Sequence, residues 1–160
     1  MEQKKLNRRD FMGAAAGVAA FTVVPRHVLG GPGRTPPSEK LNIAGIGVGG
    51  RGSGDIQAVD SENIVALCDV DWRRAAGTFR RYPDAKKYKD FREMLDKEDG
   101  NIDAVVVATP DHVHFLASMD AIRRGKHVYC EKPLTHSVWE ARELGKAARQ
   151  AGVATQMGNQ

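Results

Sequence analysis

Leu41-Asn42-Ile43-Ala44-Gly45-Ile46-Gly47-Val48-Gly49-Gly50 decides how this chain folds. A short apolar run ends in clustered glycines and a helical pattern starts at Gly52, so the segment reads as strand, tight turn and helix. Gly45, Gly47 and Gly50 fit G-x-G-x-x-G in that context, with Gly49 between them. In this reading Gly45 permits the turn, Gly47 lets backbone approach a pyrophosphate with no Cβ in the way, and Gly50 lets the helix pack on the strand. The N–H groups of the turn and the positive helix end then face the phosphates.

Asp69, 19 residues after Gly50, ends the next strand, where a carboxylate accepts hydrogen bonds from an adenosine ribose. A carboxylate there repels the 2′-phosphate of NADP, so NAD is the expected cofactor. NADP stays open because Arg51, Arg73 and Arg74 lie close in sequence, and a guanidinium holds phosphate bidentately. The plainer reading of those arginines is a solvated helix face.

Outward from this unit, strands are expected at 41–46, 64–68, 86–88, 102–108, 127–130 and 153–157. The Ala-Val-Val-Val-Ala centre of the fourth is apolar throughout, as in a strand covered on both faces. Helices are expected at 52–59, 72–81, 91–96, 112–124 and 138–151, with a capping-box spacing at Asp90 and Glu93 and C-cap glycines at Gly125 and Gly152. Successive βα units predict an α/β fold, a doubly wound parallel sheet of the Rossmann type with strand order 3-2-1-4-5-6. Strands 2 and 5 then lie about 14 Å apart. A disulfide needs Cα atoms within about 7 Å, so Cys68 and Cys130 are expected to be free core thiols.

The net charge is +4, and the first 34 residues carry all of it: Lys4, Lys5, Arg8, Arg9, Arg26 and Arg34 against Glu2 and Asp10. The neutral remainder has no basic stripe, which argues against a nucleic-acid partner. Arg8-Arg9-Asp10-Phe11 precedes an Ala/Gly-rich apolar run to Val24, shorter than the roughly 20 residues a membrane helix needs. It resembles a twin-arginine signal, which implies the Tat translocase as a partner during export and a periplasmic or otherwise exported protein. Residues 1–30 are thus expected to be a signal, 31–39 a Pro/Gly-rich linker and 40–160 the dinucleotide-binding domain.

Three further segments carry a family resemblance: Ala108-Thr109-Pro110-Asp111-His112-Val113-His114, Gly125-Lys126-His127-Val128-Tyr129-Cys130-Glu131-Lys132-Pro133-Leu134 and Gln156-Met157-Gly158-Asn159-Gln160. With the glycine loop they resemble the Gfo/Idh/MocA family, named from glucose-fructose oxidoreductase and inositol dehydrogenase. The resemblance implies hydride transfer between a nicotinamide and a secondary alcohol of a sugar, cyclitol or related polyol. It makes Lys132 the lysine at the nicotinamide end, with Glu131 and Pro133 positioning it. An ammonium there orients the substrate oxygen and stabilises charge developing on it.

The resemblance also implies that Thr109, Pro110 and His114 stand beside the cofactor, and that Gln156 and Asn159 line the nicotinamide pocket or, for Asn159, form a turn. His112 and His114 at i and i+2 point apart on a helix, so no shared metal is expected. Family members carry a second α/β domain with the main acid/base group and most substrate contacts. Against them this chain reads as a domain that binds cofactor without turning over substrate alone, and as a homo-oligomer when full length. Two alternatives accompany the dehydrogenase: an NAD-dependent glycoside hydrolase working by oxidation and elimination, and a non-catalytic dinucleotide-binding module.

Overall fold

The computed structural model describes Pro36 and residues 39–159. The twin-arginine segment, the apolar run and, apart from Pro36 and Glu39, the linker lie outside those residues.

Six strands, β1 (Asn42–Ile46), β2 (Asn63–Cys68), β3 (Lys86–Tyr88), β4 (Ala104–Val107), β5 (His127–Cys130) and β6 (Thr155–Met157), form one sheet ordered β3-β2-β1-β4-β5-β6. All five pairings are parallel. The helices are α1 (Arg51–Ala58), α2 (Ala76–Arg81), α3 (Phe91–Lys97), α4 (Asp111–Arg123) and α5 (Val138–Ala151). This is the expected doubly wound fold.

Period-two alternation in the strands divides the core. Ala44, Ile46, Val105, Val107, Val128 and Cys130 pack with Met94 and Leu95 of α3, with α4 and with Leu144 of α5. Ile43, Leu67 and Val106 point the other way, onto Ile56 of α1 and Phe79 of α2. Cys68 and Cys130 are free and buried. Burial pushes their thiols up to about 12 and about 11.

Two helix starts depart from expectation. α2 begins at Ala76, not Trp72, because the Asp71 carboxylate accepts from the backbone N–H of Arg73 and Arg74 and holds that turn outside the helix. Asp90 caps α3 through the Arg92 amide, but Glu93 pairs with Lys97 at 2.7 Å, so no reciprocal box forms there. The box that does form joins Ser137 and Glu140 at the start of α5. Gly152 caps α5 in the left-handed region, and Gly125, at φ 75°, follows α4.

Candidate dinucleotide site

The carboxyl ends of β1, β2 and β4 open into a cleft of about 730 Å³ whose walls include Gly47, Gly49, Asp69, Arg74, Thr109 and Pro110. The strand order reverses between β1 and β4, and a ligand cleft belongs at such a switch point.

The glycine loop makes the cleft floor, and its steric roles correct the expected register. Gly45 has no left-handed φ, and a Cβ on it meets Val48 Cγ1 at 2.6 Å and Ile56 Cδ1 at 2.7 Å, so it serves packing rather than the turn. The turn falls on Gly47, at φ 79°, where a Cβ meets the Ala108 and Thr109 backbone at 2.8 Å. Close helix packing falls on Gly52, not Gly50, because a Cβ there lies 1.9 Å from the Gly47 carbonyl oxygen. Gly47, Gly49 and Gly52 also satisfy G-x-G-x-x-G, two residues downstream.

Asp69 ties this loop to β2. Its Oδ2 accepts from the Gly49 N–H at 2.8 Å and its Oδ1 from the Asp71 N–H at 2.9 Å, while the Gly47 N–H donates to the Cys68 carbonyl. Gly50 caps α1 without a side chain, and the first turn of that helix carries no acidic residue. The helix end therefore presents backbone N–H groups that no side chain of the cap occupies, and these features fit a diphosphate. The Thr109 hydroxyl, buried with no hydrogen-bond partner among the described residues, is a further group ready for a ligand.

Of the arginines that left NADP open, Arg74 lies along the glycine loop, its Nη2 2.7 Å from where a Gly50 Cβ stands. Arg73 is solvent-exposed, 3.9 Å from Asp71. Arg51 turns away from the glycine turn to Asp55 at 3.0 Å and Glu131 at 3.4 Å.

A second cavity of about 290 Å³ is lined by Arg51, Ala108, Thr109, His114, Glu131 and Lys132. It shares Arg51, Ala108 and Thr109 with the larger cleft. Glu131 is 6% exposed and accepts from the Tyr129 hydroxyl at 3.1 Å; Lys132, next in sequence, is exposed. His114 is 1% exposed, with Nδ1 2.7 Å from the Pro133 carbonyl oxygen and Nε2 2.7 Å from that of Thr109. The ring lies between the end of β4 and the Lys132 loop, and in either neutral tautomer its one N–H donates to one of these two carbonyls. Pro110 is the N-cap of α4, next in sequence to Thr109.

The structure thus gathers Thr109, His114, Glu131 and Lys132 around one cavity and Gly47, Gly49, Asp69, Thr109 and Pro110 around the other, while Gly45 and Gly50 line neither. Gln156 and Asn159 line neither; the Gln156 amide donates to the Met157 carbonyl. Gly158 packs closely behind Glu131, where a Cβ would meet the Tyr129 hydroxyl at 2.5 Å and Glu131 Oε1 at 2.7 Å. Sequence reasoning missed Asp55, which is 8% exposed on α1. Burial, and after it the Glu131 charge, push its carboxyl above the ordinary range against the opposing pull of Arg51.

Comparison with known proteins accords with this geometry. A model of the oxidoreductase family with an NAD-binding Rossmann fold, Gfo/Idh/MocA, matches residues 41–159. The 1,5-anhydro-D-fructose reductase of Ensifer adhaerens is 37% identical over 100 residues, covering 62% of this chain and 29% of that protein. An inositol 2-dehydrogenase of Rubrobacter xylanophilus is 31% identical over 119 residues, 72% of this chain and 33% of that protein. A glycosyl hydrolase family 109 protein of Shewanella pealeana is 28% identical over 167 residues, 88% and 36% of the two chains. Among solved structures, GenD2 from gentamicin A biosynthesis, in complex with NAD, superposes with a TM-score of 0.69 at 29% identity over 85% of this chain and 37% of that one. The chain spans about a third of the length of these relatives. It belongs to the Gfo/Idh/MocA oxidoreductase family, as that family's NAD-binding Rossmann domain.

Proposed function

We propose that the protein carrying this chain transfers a hydride between NAD and a secondary alcohol of a sugar or cyclitol, residues 40–160 being its cofactor domain. The observation that carries this reading is that the two cavities adjoin, sharing Arg51, Ala108 and Thr109 in their walls. A dinucleotide laid across them has its ribose at Asp69, its diphosphate on the glycine loop and its nicotinamide beside Thr109 and Lys132. Bound NAD supplies the hydride acceptor. The Lys132 ammonium orients the reacting hydroxyl and stabilises negative charge on its oxygen, while Glu131 and His114 fix the loop that bears it.

The relatives that are an inositol dehydrogenase and an anhydrofructose reductase support a polyol or sugar substrate. The test is Lys132→Ala in the full-length protein, assayed for NADH formation with a polyol panel. Turnover falls by about 10²-fold or more while NAD still binds; unchanged turnover refutes the role.

The glycosyl hydrolase relative, whose similarity takes in 88% of this chain, favours a second reading, oxidation and elimination at a glycoside with NAD regenerated in each cycle. Cleavage of an aryl glycoside without accumulation of NADH selects it. The Arg8-Arg9 leader supports export by the twin-arginine route to the periplasm, and a homo-oligomer is part of the same proposal for the full-length protein. Protease protection on spheroplasts tests the export: finding the protein only in the cytoplasm removes it.

A further inference from the structure

Beneath the Lys132 cavity two carboxyl groups meet over one guanidinium. Arg51 Nε lies 3.0 Å from Asp55 Oδ1 and its Nη2 3.4 Å from Glu131 Oε1. Both carboxyl side chains are withdrawn from solvent, 6% exposed for Asp55 and 8% for Glu131. The two carboxyl groups thus converge on one guanidinium, and Asp55 Oδ2 is buried with no hydrogen-bond partner among the described residues. Two ionised carboxylates offer only acceptors to each other, and one guanidinium leaves a buried charge uncompensated. A single proton resolves both difficulties.

We propose that Asp55 carries a proton on Oδ2 and donates it to the Glu131 carboxylate, so that the two share one negative charge balanced by Arg51 and Asp55 serves as a positioning residue for the Glu131–Pro133 segment. β1 and β4, the strands against α1, present no titratable side chain between Asn42 and Ile46 or between Ala104 and Val107. From the β5 side the facing groups are Tyr129, which donates to Glu131, and Lys132; from α4 the cavity receives His114, whose nitrogens are turned to Pro133 and Thr109. Burial raises the cost of ionising Asp55, and the Glu131 charge adds to it.

The sign follows. A carboxyl raised above its unfolded value stabilises the fold fully below that value and loses the contribution as pH rises through the folded one. Asp55→Asn keeps a donor toward Glu131 and an acceptor toward Arg51, and so mimics the protonated acid at every pH.

The pair is tested by ¹³C NMR titration of the carboxyl-labelled chain, the Asp55 resonance being assigned from its loss in Asp55→Asn. The expected result is a midpoint above the ordinary aspartate range that moves down in Glu131→Gln. A midpoint at or below that range, or one indifferent to Glu131→Gln, overturns the proposal. A second readout rests on the cofactor reading above: ionising Asp55 adds a negative charge beside the cationic nicotinamide, so NAD⁺ affinity rises with pH in the wild type and stays flat in Asp55→Asn. Parallel pH profiles in wild type and Asp55→Asn overturn the positioning role. Absence of NAD⁺ binding with the shared titration intact refutes the cofactor reading and leaves the pair standing.

Discussion

Gly52 and Gly54 lie two residues apart on α1, and the same substitution has opposite effects at the two positions. In Gly52→Ala the new Cβ stands 1.9 Å from the Gly47 carbonyl oxygen and 3.0 Å from Ala108 Cβ. Real Cβ contacts essentially never fall under 3.0 Å, so helix and turn must part by about 1.1 Å. Neither neighbour is a flexible side-chain end, which puts the cost toward the top of the overpacking range, about 2–3 kcal/mol. For a domain of this size that lowers Tm by about 10 °C.

The same displacement carries the α1 amides away from the glycine turn, and NAD affinity measured by calorimetry falls at least about tenfold, roughly 1.4 kcal/mol. A Cβ on Gly54 meets nothing within 4 Å, and alanine there gains helix propensity of about 0.5–1 kcal/mol. Gly54→Ala therefore raises Tm by about 2–4 °C with NAD binding unchanged. Equal Tm values for the two variants would refute the assignment of the close-packing glycine to position 52.

Three further outcomes follow from the same geometry. Cys68 and Cys130, with thiols pushed up to about 12 and about 11, react with a thiol reagent only after unfolding, and rapid labelling of either in the native chain at pH 8 sinks that placement. Asp69→Ser removes the carboxylate that repels a 2′-phosphate, so the NAD-over-NADP affinity ratio drops by about tenfold or more; an unchanged ratio assigns discrimination elsewhere. Glu98 is 3% exposed; burial pushes it up, but hydrogen bonds from Lys86 and Tyr88 outweigh that and hold it below its ordinary 4.5. Its stabilisation is present above that value and lost as pH falls through the folded one, so the Tm gap between wild type and Glu98→Gln closes on acidification, and a gap constant with pH contradicts the network.

The sheet was legible because its signals are local. β4 reads as a buried strand from Ala-Val-Val-Val alone, and parallel strands joined by helices admit few orders. The glycine loop was legible as a loop but not in its register. Two overlapping sets, Gly45-Gly47-Gly50 and Gly47-Gly49-Gly52, satisfy one spacing, and only the φ of Gly47 and the closeness of Gly52 to its carbonyl separate them. The start of α2 depended on which backbone amides the Asp71 side chain takes, a competition that helical periodicity does not register. Asp55 was invisible for another reason: its partner Glu131 comes from beyond β5, and no pattern along α1 announces a contact across the sheet.

Arg51 explains why these features belong to one device. Its backbone opens α1 beside the larger cleft, while its guanidinium binds Asp55 one turn along and Glu131 at the smaller one. A single short helix thus borders the larger cleft and, through Arg51, reaches Glu131 at the smaller one, and Gly52 sets how close that helix sits to the turn. A rigid shift of α1 therefore moves the phosphate donors and the Asp55–Glu131 contact together, whereas a change in the charge of the carboxyl pair acts on the nicotinamide end alone. The two ends are coupled through position and separable through charge.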